Sequence, residues 1–269
     1  RQRQMCIRDS SMSNWVDLEN ELRKFALSNR DTEPRQRIEI KHQYDNLCDA
    51  LICYLKKAAD HPVNEKSLGC KLMEVVAQHI ENFEIFSFNY TDLNMILNKL
   101  GIVTSSNKEL FYTHVHGSLN NSNIVVGFQD NTDCSDDFSY MIKTFHSNYQ
   151  SHNIRKSLLA AQEIIFFGHS LGDTDYHYFS QLFEAISNFD VKDQTRCPIR
   201  LTIITYDEDS KNAILRQLWK MNNAQTNILY DQNELTIYCT NTYSSNVEFY
   251  FLLKRIDLEC KIKQALFQI

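Results

Sequence analysis

His114 and His116 stand on either side of one valine, and Gly117 follows directly. An imidazole titrates near neutral pH, so His116 is a candidate to accept a proton from a ribose hydroxyl. The glycine beside it lets backbone or ligand atoms come close. A metal pair on one face of a strand is an alternative, but only the distant Asp173 and Asp175 could complete it, so we expect no metal. A hydrogen-bonded core histidine is the third interpretation.

A second polar motif, Asn89-Tyr90-Thr91, also follows a short apolar segment. As a functional group, the Asn89 amide would lie against a sugar, an amide or a water molecule. As a structural group, Asn89 would make a turn, and Thr91 or Asp92 would cap the next helix. Both interpretations stay open at this point.

A third motif, Gly168 to Gly172, matches the G-x-S-x-G elbow of α/β-hydrolases. That fold orders its triad as serine, acid and histidine, and His177 is the histidine that follows Ser170. We expect His177 about two turns along the next helix and away from the serine, so the base is missing. Serine hydrolysis is therefore an outside alternative. A turn that binds a phosphate or a ribose, with hydrogen bonds from Ser170 and Asp175, is favoured.

The three motifs define the candidate site. The candidate catalytic residues are His116 and Asn89. The candidate cofactor-binding residues are Gly117, Gly168, Ser170, Gly172, Asp173, Asp175 and Thr91.

Each motif follows a segment with the composition of a β-strand. Aromatic, β-branched or continuous apolar runs predict strands at 83–88, 111–115, 124–126, 163–167, 199–205 and 234–239. Helical spacing of apolar residues predicts helices at 14–29, 35–59, 65–80, 93–100, 174–187 and 207–220, a mostly helical segment at 136–161, and a helix from 247 onward.

The alternation of strands and helices after residue 83 predicts the fold class. We expect an α/β fold with an open, mainly parallel, Rossmann-like sheet, and an N-terminal helical cap or insertion. The cap would span residues 12–82 and the nucleotide-binding core residues 83–269, within a single domain. Ligands bind beyond the carboxyl ends of parallel strands, so neighbouring strands would bring the three motifs to one crevice.

The first residues have a different origin in our interpretation. Met5 to Ser10 is what a transposon end used in sequencing libraries would encode. We therefore expect residues 1–11 to be a non-native, adapter-derived tail and the natural N-terminus to be missing. An ordinary disordered tail is the alternative.

Composition excludes several classes of protein. Among 269 residues, 34 are acidic and 28 are Lys or Arg, so the net charge of −6 argues against a broad face for duplex nucleic acid. No apolar run approaches the roughly 20 residues of a membrane span, and no signal peptide opens the chain. The 8 cysteines form no C-x-x-C pair, so we expect reduced thiols in a cytoplasmic protein without a membrane partner.

Four segments in one order resemble the bacteriophage abortive infection AbiH family. They are 14–19, 88–91, 114–117 and 166–179, and the last is the most specific. The resemblance extends from Asn14 to about Cys239. Family members usually open with a strand and a Gly-Asn-Gly-Phe-Asp turn, which this chain lacks. The resemblance therefore implies an N-terminally truncated fragment without the expected pyrophosphate cradle.

The family in turn is similar to sirtuin-type NAD-binding domains. By that likeness, Asn89 lies near the nicotinamide ribose, His116 is the catalytic histidine, and Gly168 and Ser170 hold the adenosine ribose. The chain departs from the sirtuin pattern at Thr91, where those enzymes carry an aspartate.

Two hypotheses of function follow from the resemblance. The first is a bacterial anti-phage effector with NAD glycohydrolase-like activity, for which NAD or a related nucleotide is the substrate rather than a resident cofactor. The second is a non-catalytic nucleotide-binding sensor that triggers growth arrest through a partner. A phage-derived trigger, a partner protein and an oligomer are the expected associations.

Overall fold

The computed structural model describes residues 15–29, 33–59, 62–102, 112–129, 132–149, 153–172, 174–187, 198–241 and 243–266. Asp173 and the predicted foreign segment 1–11 lie outside the described residues. The chain divides into two units. Unit 1 comprises Arg1–Val63, Ile85–Ile96 and Tyr112–His152, and unit 2 comprises Asn64–Glu84, Leu97–Phe111 and Asn153–Ile269. The predicted division into residues 12–82 and 83–269 stays a prediction.

Helices and short parallel strands make up the described chain. The helices are α1 (Trp15–Ser28), α2 (Pro34–Ala59), α3 (Leu68–Gln78), α4 (Leu93–Leu100), α5 (Ile154–Ala160), α6 (Tyr176–Ser187), α7 (Glu208–Met221), α8 (Thr226–Gln232) and α9 (Tyr243–Leu266). The strands are β1 (Phe86–Ser87), β2 (Thr113–His114), β3 (Glu163–Phe167), β4 (Arg200–Thr205) and β5 (Glu234–Cys239).

The strands form two small sheets in which every pairing is parallel. Strands β1 and β2 form one sheet in unit 1, and β3, β4 and β5 form the other in unit 2, in that order. The α/β class and the parallel pairing are therefore confirmed for the described residues. An open Rossmann-like sheet is not confirmed, since the sheets have two and three strands.

Unit 1 is built on the apolar stripes of its two long helices. Leu22 of α1 and Leu51 of α2 pack in one cluster with Phe128, Phe138 and Met141. Pro34 begins α2, a position where its missing N–H and fixed φ cost nothing. Apolar residues of both predicted helices thus contribute to the core of this unit.

One predicted strand of unit 1 is wrong. The segment 124–126 is buried but is not a strand, because its carbonyls accept from tyrosine hydroxyls rather than from a neighbouring strand: Tyr44 donates to Val126 at 2.8 Å and Tyr90 to Val125 at 3.4 Å. The mostly helical character predicted for 136–161 is confirmed for its described residues, which hold the 3₁₀ helices Asp136–Met141 and Lys143–Phe145 and helix α5.

Unit 2 encloses strand β4, which is buried along most of its length, as expected for a parallel strand covered on both faces. Phe166 of β3 packs against Phe179 of α6, with ring centroids 5.3 Å apart. Phe249 of α9 joins a cluster with Leu68 of α3 and Ile204 of β4. These contacts pack α3, α6 and α9 against the sheet of unit 2.

Two further findings concern the described residues alone. No helix among them has both the length and the apolar character needed to cross a membrane. Their cysteines, which are Cys48, Cys53, Cys70, Cys134, Cys239 and Cys260, all carry free thiols.

Candidate functional site

A group of polar side chains lies after β1 and along or beside β2, with Tyr112 directly before that strand. It is here called the β1–β2 edge and comprises Asn89, Asp92, Tyr112, His114 and His116. Ser87 pairs with His114 in the parallel register, so the polar residues after β1 lie beside the end of β2. The sequence predicted polar groups at these two strand ends. The structure brings Asn89 and His114 into direct contact.

Asn89 is anchored by its backbone and leaves its amide exposed. Its carbonyl oxygen accepts a hydrogen bond from Ser87 Oγ at 3.1 Å and from His114 Nδ1 at 3.1 Å. Two donors on one carbonyl fix the backbone, while the residue itself is exposed.

His114 is half-buried and held in one tautomer. A carbonyl oxygen can only accept, so the proton of the neutral ring lies on Nδ1 and the lone pair on Nε2. The Tyr112 ring packs edge-on against the imidazole, with centroids 4.8 Å apart. Burial lowers the pKa of His114, although the Asn89 carbonyl and the Asp92 carboxylate oppose the shift. The ring is therefore neutral near pH 7.

Asp92 is occupied by local structure. Its Oδ1 accepts from the backbone N–H groups of Asn94 at 2.8 Å and Met95 at 3.3 Å, which caps the start of α4. The same oxygen accepts from the Tyr112 hydroxyl at 2.7 Å, and Oδ2 accepts from the Asn120 amide. Burial and the bond to Asp92 raise the pKa of Tyr112, so that hydroxyl stays protonated. Asp92 is thus a capping residue, and Thr91 beside it is half-buried.

His116 is almost enclosed, with 6% of its surface exposed. Its ring packs edge-on against Phe88 at 5.5 Å, and its carbonyl accepts from the Val125 N–H at 2.8 Å. Strand β2 ends at His114, so strand alternation does not extend to His116. The sequence-based placement of both histidines on one strand face is therefore wrong.

Gly117 is required by the backbone. Its φ is +79°, and a Cβ atom there would lie 2.1 Å from the Asn123 carbonyl oxygen. Asn123 also accepts the Ser118 N–H through its side chain at 2.9 Å, which closes the turn. The glycine therefore serves a tight turn after the histidines.

The segment 168–175, here called the β3 turn, follows β3 in unit 2. Gly168 and Leu171 both have left-handed backbones, with φ of +66° and +51°. Leu171 is fully buried and Ser170 is exposed at the surface. The Gly168 N–H donates to the Ile204 carbonyl at 2.9 Å, so the turn begins where the sheet ladder ends.

Side chains within the β3 turn bond to one another. The Leu171 N–H donates to His169 Nδ1 at 2.9 Å, and His169 Nε2 lies 3.6 Å from the Asp175 carboxylate. The Asp175 N–H donates to the Gly172 carbonyl at 3.1 Å. Sequence reasoning assigned Asp175 to a ligand and missed its partner His169, because nothing in the spacing marks that contact.

His177 lies in the first turn of α6, which begins at Tyr176. The predicted placement about two turns along the helix is wrong, because α6 begins only one residue before His177. Arg155 Nε donates to the His177 carbonyl at 2.9 Å.

The candidate residues fall in both units. Asn89, Thr91, His116 and Gly117 belong to unit 1, whereas Gly168, Ser170, Gly172 and Asp175 belong to unit 2. Convergence of the three motifs on one crevice stays a prediction. Over the part of the chain with assigned positions, no group of three or more His, Cys, Asp or Glu side chains could hold a metal ion.

Comparison with known proteins gives a match to a family. A family model described as bacteriophage abortive infection AbiH matches residues 4–193, which include the β1–β2 edge and the β3 turn. The match begins inside the segment 1–11, so the foreign origin of that segment stays a prediction. No curated protein and no solved structure matches the chain.

Proposed function

This chain belongs to the bacteriophage abortive infection AbiH family, and we propose that it acts in phage defence by cleaving NAD or a related nucleotide. Abortive infection needs a step that stops the growth of an infected cell. Consumption of a nucleotide that all metabolism requires would supply such a step.

The observation that carries the proposal is the neutral imidazole of His114 bonded to the backbone of Asn89, whose amide is exposed. A neutral imidazole can take a proton from a ribose hydroxyl or from water. An exposed amide can hydrogen-bond a carboxamide or an attacking water. The resemblance to sirtuins assigns the proton acceptor to His116, but the proposal requires only that one imidazole at the end of β2 accept the proton.

The β3 turn supports a nucleotide as the ligand. Ser170 is exposed at a turn that follows a parallel strand, the place where α/β proteins bind ligands. Leu171 holds a left-handed backbone although it is not a glycine, and strained conformations of this kind cluster at ligand sites. A ribose hydroxyl bonded to Ser170 Oγ would fit the exposure of that serine and the left-handed backbone of Leu171 beside it.

A non-catalytic nucleotide sensor is the second candidate, and one observation favours it. Thr91 stands where sirtuin-type enzymes carry an aspartate, and the adjacent Asp92 already caps α4 and binds Tyr112. A site without that carboxylate could bind the nucleotide and leave it intact.

The test is whether the full chain releases nicotinamide from NAD, with the released nicotinamide measured by chromatography. We expect release by the wild type and its loss when His114 and His116 are both replaced by alanine. His42→Ala is the matched control, because His42 lies exposed on α2 and bonds to Asn46 of the same helix. NAD binding by calorimetry without release would favour the sensor. The absence of both NAD binding and nicotinamide release would overturn the proposed function.

A further inference from the structure

We infer that His114, rather than His116, accepts the proton in the proposed reaction, through Nε2, while the Asn89 carbonyl holds the ring from the other side. This inference rests on the proposed function and names the group that performs its chemical step. It departs from the resemblance, which gives that role to His116.

The hydrogen bonds of His114 leave one nitrogen for chemistry. Nδ1 donates to the Asn89 carbonyl at 3.1 Å, and that carbonyl is itself fixed by Ser87 Oγ at 3.1 Å. A backbone acceptor on one ring nitrogen sets the tautomer and directs the lone pair to the other. Within the described residues, no hydrogen bond engages Nε2.

A second set of contacts fixes the plane of the ring. Tyr112 packs edge-on against His114, with an angle of 64° between the rings. The Tyr112 hydroxyl donates to Asp92 at 2.7 Å and accepts from the Leu93 N–H at 2.9 Å. The imidazole is therefore oriented by β1, by its own strand and by the start of α4. A preorganised base of this kind needs no rearrangement before it accepts a proton.

His116 has the surroundings of a core histidine. With 6% of its surface exposed, it packs on Phe88, and its backbone is bonded to Val125 beside the turn at Gly117. A substrate hydroxyl would have to displace this packing to reach its ring. His114 is half-buried, so a substrate could reach its ring without displacing core packing.

The chemical step balances without a further reactant. The oxygen of a water molecule forms a bond to the ribose carbon C1′ as its proton passes to His114 Nε2. The bond from C1′ to the nicotinamide nitrogen breaks, and its electron pair stays on that nitrogen, which loses its positive charge. ADP-ribose and nicotinamide leave, and the imidazolium returns its proton to solvent.

The pH dependence follows from the groups around the ring. Two titratable groups of the β1–β2 edge face His114. They are Asp92, at the start of α4, and Tyr112, directly before β2. Burial lowers the pKa of His114 below its ordinary value of 6.5. The neutral acceptor is present at pH 7, and the rate should fall only as pH drops through that lowered pKa.

Chemical labelling tests the accessibility of the nitrogen without any substrate. Diethyl pyrocarbonate modifies unprotonated, accessible imidazoles, and fragment masses distinguish labels on His114 and His116. At pH 7 we expect His114 to react at a rate within about tenfold of the exposed His42, and His116 to react much more slowly. Faster labelling of His116 than of His114 would overturn the inference.

Single variants then separate the two histidines in the reaction. We expect His114→Gln to lower the rate of nicotinamide release roughly 10²- to 10⁴-fold with little change in KM, as for loss of a general base. His116→Gln should retain the acidic limb of the pH profile, and His42→Gln should match the wild type. If release persists in His114→Gln and is lost in His116→Gln, the assignment of the proton acceptor to His114 is overturned, but the proposed function is not. Absence of release from the wild type overturns the proposed function itself.

Discussion

Gly117, which directly follows His116 of the β1–β2 edge, shows how strongly one residue depends on the backbone around it. We predict that Gly117→Ala lowers the free energy of unfolding by roughly 3–5 kcal/mol, because the new Cβ would lie 2.1 Å from the Asn123 carbonyl oxygen at a φ of +79°. Urea unfolding of both proteins measures the difference.

The matched control is Gly168→Ala in the β3 turn. Gly168 has a similar φ of +66°, but no atom of the described residues lies within 4 Å of the position that a Cβ would take there, so only the left-handed backbone is penalised. That penalty is about 1–2 kcal/mol. Equal losses at the two positions would show that the Asn123 contact has no energetic role.

At the residue scale, the sequence predicted which groups stand at the strand ends but not which of them meet. Asn89 and His116 follow apolar runs, and that pattern is visible in the sequence. The bond of His114 to Asn89 is not visible there, because its acceptor is a backbone carbonyl that every residue carries. His169 and Asp175 are likewise linked only by the path of the turn.

At the scale of elements, a buried ion pair ties α1 to the rest of unit 1. Lys143 Nζ lies 3.0 Å from Glu19, and the Lys143 side chain is 2% exposed. We predict that Lys143→Met lowers the free energy of unfolding by about 3–5 kcal/mol, because the buried Glu19 carboxylate would lose the attraction of the Lys143 ammonium. Urea unfolding gives the value.

The double variant Glu19→Leu with Lys143→Met is the companion experiment. Removal of both charges also removes both desolvation costs, so we expect stability close to that of the wild type or above it. If the double variant instead loses the sum of the two single losses, the pair is not coupled.

A second link joins α3 to α9 in unit 2 and makes stability depend on pH. His79 Nε2 lies 2.8 Å from Asp257, and this bond holds the pKa of Asp257 below its ordinary value of 3.8. The stabilisation is complete above that value and is lost as pH falls through the lower folded pKa. We predict that Asp257→Asn costs about 1–3 kcal/mol at pH 7 and less in acid.

Lys261→Met is the control for Asp257, because it removes an exposed pair at 2.7 Å on the same carboxylate. We expect a loss of less than about 1 kcal/mol. Unfolding measured at several pH values distinguishes the two variants. A constant cost of Asp257→Asn from neutral pH down into acid would contradict the role of its charge.

The elements that the sequence predicted best are those that pair or pack with other helices and strands. Strand β3 has the predicted bounds because its β-branched and aromatic residues form an unbroken run along the chain. The run 124–126 has the same composition, but Tyr44 and Tyr90 hydroxyls satisfy its carbonyls in place of a strand. Distant side-chain donors leave no local signal, so that prediction is wrong.

At the scale of the whole molecule, each unit is built from segments that lie far apart in the sequence. Helix α3 lies before residue 85, yet its Leu68 packs with Phe249 and Leu252 of α9. We predict that a fragment of residues 153–269 lacks a cooperative thermal transition, because it exposes the surface that α3 covers. Circular dichroism of the fragment and of the full chain measures this.

Addition of a peptide of residues 64–84 provides the control. It restores the missing packing surface, so we expect it to bind the fragment and raise its midpoint of unfolding. A fragment that unfolds cooperatively by itself, at the midpoint of the full chain, would contradict the prediction.

The interleaving of the two units also constrains how such genes could recombine. The chain leaves unit 1 after Val63, returns for Ile85–Ile96 and Tyr112–His152, and then stays in unit 2. A chimaera of two relatives whose sequences join between residues 64 and 152 therefore mixes parental side chains in both cores at once. A junction outside that interval leaves one core with a single parent, so viable hybrids should be concentrated there.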